Sequence, residues 1–131
     1  VNRARAFIYA TAPSPLIASV VRKALKLSAT REDLRTRQAA RVAHAGKLLA
    51  DVCGVPSSGS HIQPVIVRHD QRALMLAAHM QDAGFDIRAV RPPTVPEGTA
   101  RLRISLTLNV TDEDVTRMTA RLAEALREVG T

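Results

Sequence analysis

Apolar positions recur along this chain in two periods, and the period changes near residue 62. Before it the spacing is helical. Leu16, Ile17, Val20, Val21, Ala24 and Leu25 fall three and four apart, which predicts a helix that buries one stripe. Ser14-Pro15 reads as its start, since serine can accept from free backbone amides and proline has no N–H to leave unpaired. Thr30-Arg31-Glu32-Asp33 resembles a capping box with Asp in the usual Glu position. A long helix over 31–53 follows, with Leu34, Val42, Ala45, Leu49 and Val52 on one face and Arg35, Arg37, Arg41 and Lys47 largely off it. Gly54 is its left-handed stop, and Pro56-Ser57-Ser58-Gly59-Ser60 has loop composition.

From Ile62 the run to Val67 is β-branched, and Pro64 near its start suits an edge strand or a strand entrance. Asp70 can cap a helix carrying Leu74, Ala77, Ala78 and Gln81 and ending at Gly84. Phe85, Ile87 and Ala89 alternate with Asp86, Arg88 and Val90, the mark of a half-buried strand. The clearest strand spans 101–109, with Leu102, Ile104, Leu106 and Leu108 on one face and Arg103, Ser105 and Thr107 on the other. Thr111 and Asp114 form a second capping box, opening a helix striped by Val115, Met118, Leu122, Ala125, Leu126 and Val129. The last two strands are too close for a parallel crossover, so they pair antiparallel. The expected architecture is α+β, a small sheet covered by helices on one face. At the other end of the chain, Phe7-Ile8-Tyr9 is a short strand-like run before a proline-broken turn.

Composition narrows the function classes. With 131 residues the chain is one domain's worth, and 46% apolar with 24% charged residues is ordinary for a folded, water-soluble protein. The longest uncharged run, 6–21, is short for a membrane span and contains Pro13 and Pro15. The lone Cys53 can form neither an internal disulfide nor a metal site by itself, which suits a reduced, cytoplasmic setting. The net charge of +7, mostly arginine, invites acidic partners. Nucleic acid is disfavoured, because Phe7, Tyr9 and Phe85 are too few and too scattered to stack bases. Opening on Val1 in mid-pattern, the chain reads as a piece of something longer.

The most informative stretch runs Arg91-Pro92-Pro93-Thr94-Val95-Pro96-Glu97-Gly98-Thr99-Ala100-Arg101-Leu102-Arg103-Ile104. Three prolines reduce the loop's freedom before anything binds, which is a way to hold Thr94 in place. Arg103 then projects from a strand, and a guanidinium fork is the natural partner of a carboxylate. The same arginine would serve equally as a solvated surface charge. This stretch resembles the C-terminal signature of 8-amino-7-oxononanoate synthases, pyridoxal-phosphate (PLP) enzymes of the α-oxoamine synthase group. Ser60-His61-Ile62-Gln63-Pro64-Val65 and the segment from Asn2 to Ala12 are similar to further parts of that family, in the same order.

The resemblance implies the small C-terminal domain of the aspartate-aminotransferase-like (type I PLP) fold. It divides the chain into a remnant of the large cofactor domain (1–13), connecting helices (14–54) and the small domain (55–131). It implies a decarboxylative condensation of L-alanine with a pimeloyl thioester, carried by coenzyme A or an acyl carrier protein, in biotin synthesis by a homodimer. In the family pattern Thr94 contacts substrate, Arg103 binds the amino-acid carboxylate, and Thr11 reaches the phosphate of the partner's PLP. The family's Schiff-base lysine motif is absent. Lys23, Lys26 and Lys47 lie on expected helices, and His44, His61, His69 and His79 show no metal-ligand spacing. The chain is therefore expected to be inactive alone. A related synthase using glycine or serine, and a non-catalytic binding module, are the competing readings.

Overall fold

A computed structural model describes residues 3, 12 and 14–130; Thr11 and Phe7-Ile8-Tyr9 lie outside the described residues. The chain divides into two compact units, Val1–Asp33 and Leu34–Thr131.

In the first unit, α1 spans Pro15–Thr30 with proline in its first turn, as expected. Two details differ from the sequence reading. Ser14 makes no side-chain cap bond. The Thr30 hydroxyl donates back to the Lys26 carbonyl, 2.8 Å away, so Thr30 completes this helix instead of capping the next. The apolar stripe is present but buries nothing: Leu16 is 72% exposed and Val20 60%.

The second unit carries its own core. The element order is α2 (Glu32–Cys53), β1 (Ile62–Arg68), α3 (Asp70–Asp82), β2 (Arg88–Val90), β3 (Ala100–Ser105) and α4 (Asp112–Glu128). The sheet order is β1-β3-β2, and β3 is antiparallel to both neighbours. β1 and β2 therefore run parallel, joined through α3, with β3 inserted between them. Proline at 64 falls on an edge strand, where a missing amide does no harm. Ala45 and Leu49 of α2, Val65 and Val67 of β1, Leu76 and Met80 of α3, Leu102 and Ile104 of β3, and Val115 and Leu122 of α4 form one buried cluster. All of it lies on one face of the sheet. Among the described residues, the two fully buried polar side chains are satisfied: Gln63 accepts from the Ser58 amide and donates to the Ser60 carbonyl, and Thr119 donates within its own helix, whereas the buried Gln38 Oε1, His44 Nε2 and Arg72 Nε make no hydrogen bond.

Local signals in the sequence hold well. Gly54 (φ 66°) ends α2, with the Val55 amide bonded to the Leu49 carbonyl at 3.0 Å. The Thr111–Asp114 capping box is formed in both directions, at 3.1 and 2.9 Å. Asp70 is a correction: His69 occupies the cap position of α3, and Asp70 is its first helical residue, where its charge suits the helix dipole. So is the face of α3. Ala73, Leu76, Ala77 and Met80 are buried, whereas Leu74 and Ala78 are exposed. On α2, Val52 is exposed and Cys53 packs in its place.

Both C-terminal strands are shorter than their apolar alternation. Expected over 85–90, β2 contains only Arg88–Val90. The Phe85 amide is used to close α3 on the Met80 carbonyl, the Ile87 amide turns back onto Phe85, and Gln81 takes the Ile87 carbonyl. Expected to reach 109, β3 stops at Ser105. Beyond it the Leu106 amide goes to His61, while Gln38 and Arg41 of α2 take the carbonyls of Leu106 and Thr107 at 2.8 and 3.1 Å. Backbone groups already bonded elsewhere cannot extend a ladder.

Candidate functional site

Within the second unit, α2, α3 and α4 cover one face of the sheet and leave the other open. Strand alternation sends Arg101, Arg103 and Ser105 of β3 to the open side. In register, Arg103 lies between Pro64 of β1 and Arg88 of β2, and Arg101 lies between Ile66 and Val90. The sequence alternation placed Arg103 correctly, opposite buried Leu102 and Ile104.

Thr94 reaches this face through the loop that joins β2 to β3. The Pro92–Pro93 peptide is cis, and the Thr94 amide donates to the Arg91 carbonyl at 3.0 Å, closing a turn. At the far end the Thr99 amide and hydroxyl both donate to the Pro96 carbonyl, at 3.2 and 2.6 Å. Gly98 (φ 73°) supplies the left-handed residue that this second turn needs. Thr94 and Arg103 then line one open hollow of about 520 Å³, with Arg88, Arg91, Pro92 and Pro93. The structure thus brings together the two residues singled out in the sequence.

Electrostatically the hollow is basic. Arg88 is drawn aside by Asp86, Nε to Oδ1 2.7 Å, which relieves two like charges placed opposite in adjacent strands. Arg103 and Arg91 have no side-chain hydrogen bond or ion pair among the described residues, and neither does the Thr94 hydroxyl. A guanidinium and a hydroxyl without side-chain partners, lining one hollow, can both donate to a small carboxylate. Arg88 was not singled out in the sequence because strand register brings it to the hollow, and Arg91, at the head of the proline-rich stretch, lines the hollow as well. The shared polar face of Asp86 and Arg88 was the one signal for Arg88 in the sequence.

Other candidate groups lie elsewhere. Cys53 donates to the Thr119 carbonyl at 3.4 Å, and burial raises its pKa, so it is a packing thiol. His79 sits between Arg121 and Glu128 on the helical side, and His61 and His69 flank β1. No helix among the described residues is long and apolar enough to cross a membrane.

Comparisons with known proteins bear on the sequence and on the fold. No protein-family model matches the chain. The 8-amino-7-oxononanoate synthase of Saccharophagus degradans is 39% identical over 98% of the chain. Among solved structures, a serine palmitoyltransferase from S. paucimobilis, with a bound PLP–myriocin aldimine, superposes with a TM-score of 0.84 over 92% of the chain at 21% identity. The 8-amino-7-oxononanoate synthase of Francisella tularensis superposes with a TM-score of 0.77 over 97% at 22% identity. The fold is that of the small C-terminal domain of type I PLP-dependent enzymes. Within that class the sequence relates the chain to the 8-amino-7-oxononanoate synthases, of which it spans about a third of the length.

The hollow can be tested against PLP itself. Among the described residues no lysine lines it, and Lys23, Lys26 and Lys47 are exposed on α1 and α2. Its residues fit a carboxylate; they do not fit the anchoring of a pyridoxal aldehyde.

Proposed function

We propose that this chain supplies the amino-acid side of a PLP-dependent decarboxylative condensation of L-alanine with a pimeloyl thioester, in biotin synthesis in the cytoplasm. Arg103 grips the alanine carboxylate, and Thr94 contacts substrate beside it. Thr11 reaches the phosphate of the partner's PLP in a homodimer. The Schiff-base lysine comes from outside this segment, so the chain by itself does not turn over. In this reading residues 1–13 belong to the large cofactor domain and 14–54 connect it to the small domain over 55–131. The acyl group arrives on coenzyme A or an acyl carrier protein, either of which is anionic and suits the net charge of +7.

The observation that carries this reading is the unpaired Arg103 guanidinium, on the face that the core does not use, in one hollow with Thr94. The arginine of such a pair offers a bidentate, charge-assisted contact worth about 1.5–3 kcal/mol. The test is a chimera in which this chain replaces the matching third of the S. degradans relative. L-Alanine, glycine and L-serine are titrated and the cofactor absorbance is followed. Arg103→Ala should weaken L-alanine binding roughly ten- to a hundredfold. Arg103→Lys should recover little, because an ammonium lacks the fork. Parent-like alanine binding in Arg103→Ala would refute the clamp, and a preference for glycine or serine would move the chain to a related synthase.

A further inference from the structure

Arg101 and Arg103 leave β3 on the same face, two residues apart, yet the structure treats them differently. Arg103 lines the hollow; Arg101 does not. Arg101 is half-buried, and its Nε donates to the Thr99 carbonyl at 2.9 Å. Thr99 in turn holds the Pro96 carbonyl through both its amide and its hydroxyl. The register pair of Arg101 on β2 is Val90, the residue directly before the loop. Arg101 therefore sits at the loop's neck. Its backbone is paired with the residue that enters the loop, and its side chain holds the residue that leaves it. Among the side chains of the sheet it makes the one hydrogen bond to the backbone of 91–99.

We propose that Arg101 is a positioning residue, whose guanidinium fixes the exit of the 91–99 loop and so holds Thr94 beside Arg103. This role deepens, and rests on, the reading of Thr94 and Arg103 as the substrate-facing pair. It needs the N–H at the Nε position and not the positive charge. The Thr99 carbonyl accepts a single bond from that atom, and a neutral donor at the same place serves equally.

That distinction makes the test. In glutamine the side-chain nitrogen occupies the same place along the chain as the Nε of arginine, so Arg101→Gln keeps the donor and removes the charge. Arg101→Met fills a similar space and removes both. Backbone amide exchange is followed by NMR on the 131-residue chain for Thr94, Thr99 and, as a core reference, Leu102. Acetate is titrated as a carboxylate probe while the Arg103 Nε–H resonance is followed. In Arg101→Met, exchange at Thr99 should quicken about tenfold, as expected for loss of one hydrogen bond. The Thr94 amide should shift, while Leu102 exchanges as in the parent. Arg101→Gln should restore parent-like exchange at Thr99. If Gln behaves as Met does, charge is what matters and the positioning role is overturned. It is equally overturned if Met exchanges at Thr99 as slowly as the parent. Should Met fail to fold, the Gln variant decides alone, since loss of Thr99 protection there contradicts the proposal. An Arg103 that ignores acetate in the parent sinks the carboxylate reading separately, whatever the exchange data show about the loop.

Discussion

Gly46 lies buried in α2 against the loop that leads to β1. A Cβ added there would overlap the Ser57 Oγ and come within 2.8 Å of the Ser57 Cβ. The hydroxyl can rotate away, at the loss of its 3.2 Å bond from the Gly59 amide. The Cβ can move only with its backbone, and the next residue, Ser58, is tied to Gln63 and Ile62 at 2.9 and 2.6 Å. Gly46→Ala thus sets two terms against each other. Helix propensity favours alanine over glycine by about 1 kcal/mol. Overpacking against a held loop costs about 1–3 kcal/mol. The substitution should therefore be neutral to destabilising by about 2 kcal/mol, where propensity alone predicts a gain. Ser57→Gly removes both colliding atoms. In that background Gly46→Ala should stabilise by about 1 kcal/mol, giving a coupling of about 1–3 kcal/mol across the pair. Urea unfolding followed by circular dichroism on the four members of this cycle measures both values. A Gly46→Ala chain about 1 kcal/mol more stable than the parent, with the same gain in the Ser57→Gly background, would show that the loop yields freely and refute the argument.

Thr111→Ala should cost about 1 kcal/mol in the same urea assay, since it removes the acceptor that caps α4. The backbone bond from Thr111, helped by the side chains of Arg117 and Thr111, holds the Asp114 carboxyl below its ordinary pKa in the folded state. Its stabilising contribution is then present above the unfolded pKa and lost as pH falls through the folded value. The unfolding midpoint of Asp114→Asn should differ from the parent near neutrality, and the two should converge in acid. Treatment of the chain with pyridoxal phosphate and borohydride should give no stoichiometric label at one lysine, because Lys23, Lys26 and Lys47 are exposed and none lines the hollow. Full occupancy at a single lysine, read by peptide mapping, would overturn that assignment.

The candidate site was legible in unequal parts. Arg103 was readable because strand alternation is a local, two-residue rule, and Leu102 and Ile104 on either side are unmistakably core. Thr94 was readable as the polar member of a loop stiffened by prolines. The division of labour between Arg101 and Arg103 was not readable. Both occupy the same face by alternation, and although the Arg101 side chain closes on a carbonyl only two residues away, which of the two arginines lines the hollow depends on where the 91–99 loop runs. Arg88 enters for a similar reason, since its neighbourhood with Arg103 is a matter of register between strands.

What the sequence by itself determined closes within about one turn of chain, although three equally local readings, the Ser14 cap, the Thr30–Asp33 box and the Asp70 cap, did not form as read. The Thr111–Asp114 box, the stops at Gly54 and Gly84, proline in the first turn of α1 and the inward face of β3 all depend on groups a few residues apart. The tertiary structure decided the matters in which distant groups compete. Leu74 and Leu76 both suit a helix, and the sheet beneath α3 buries only one of them. Alternation continues past Ser105, but Gln38 and Arg41 capture the carbonyls that a longer strand would need. The stripe of α1 fulfils its period and buries none of its residues. Periodicity shows which face of an element is apolar; burial, strand length and the partner of each polar group depend on which competing bonds and surfaces the rest of the chain brings within reach.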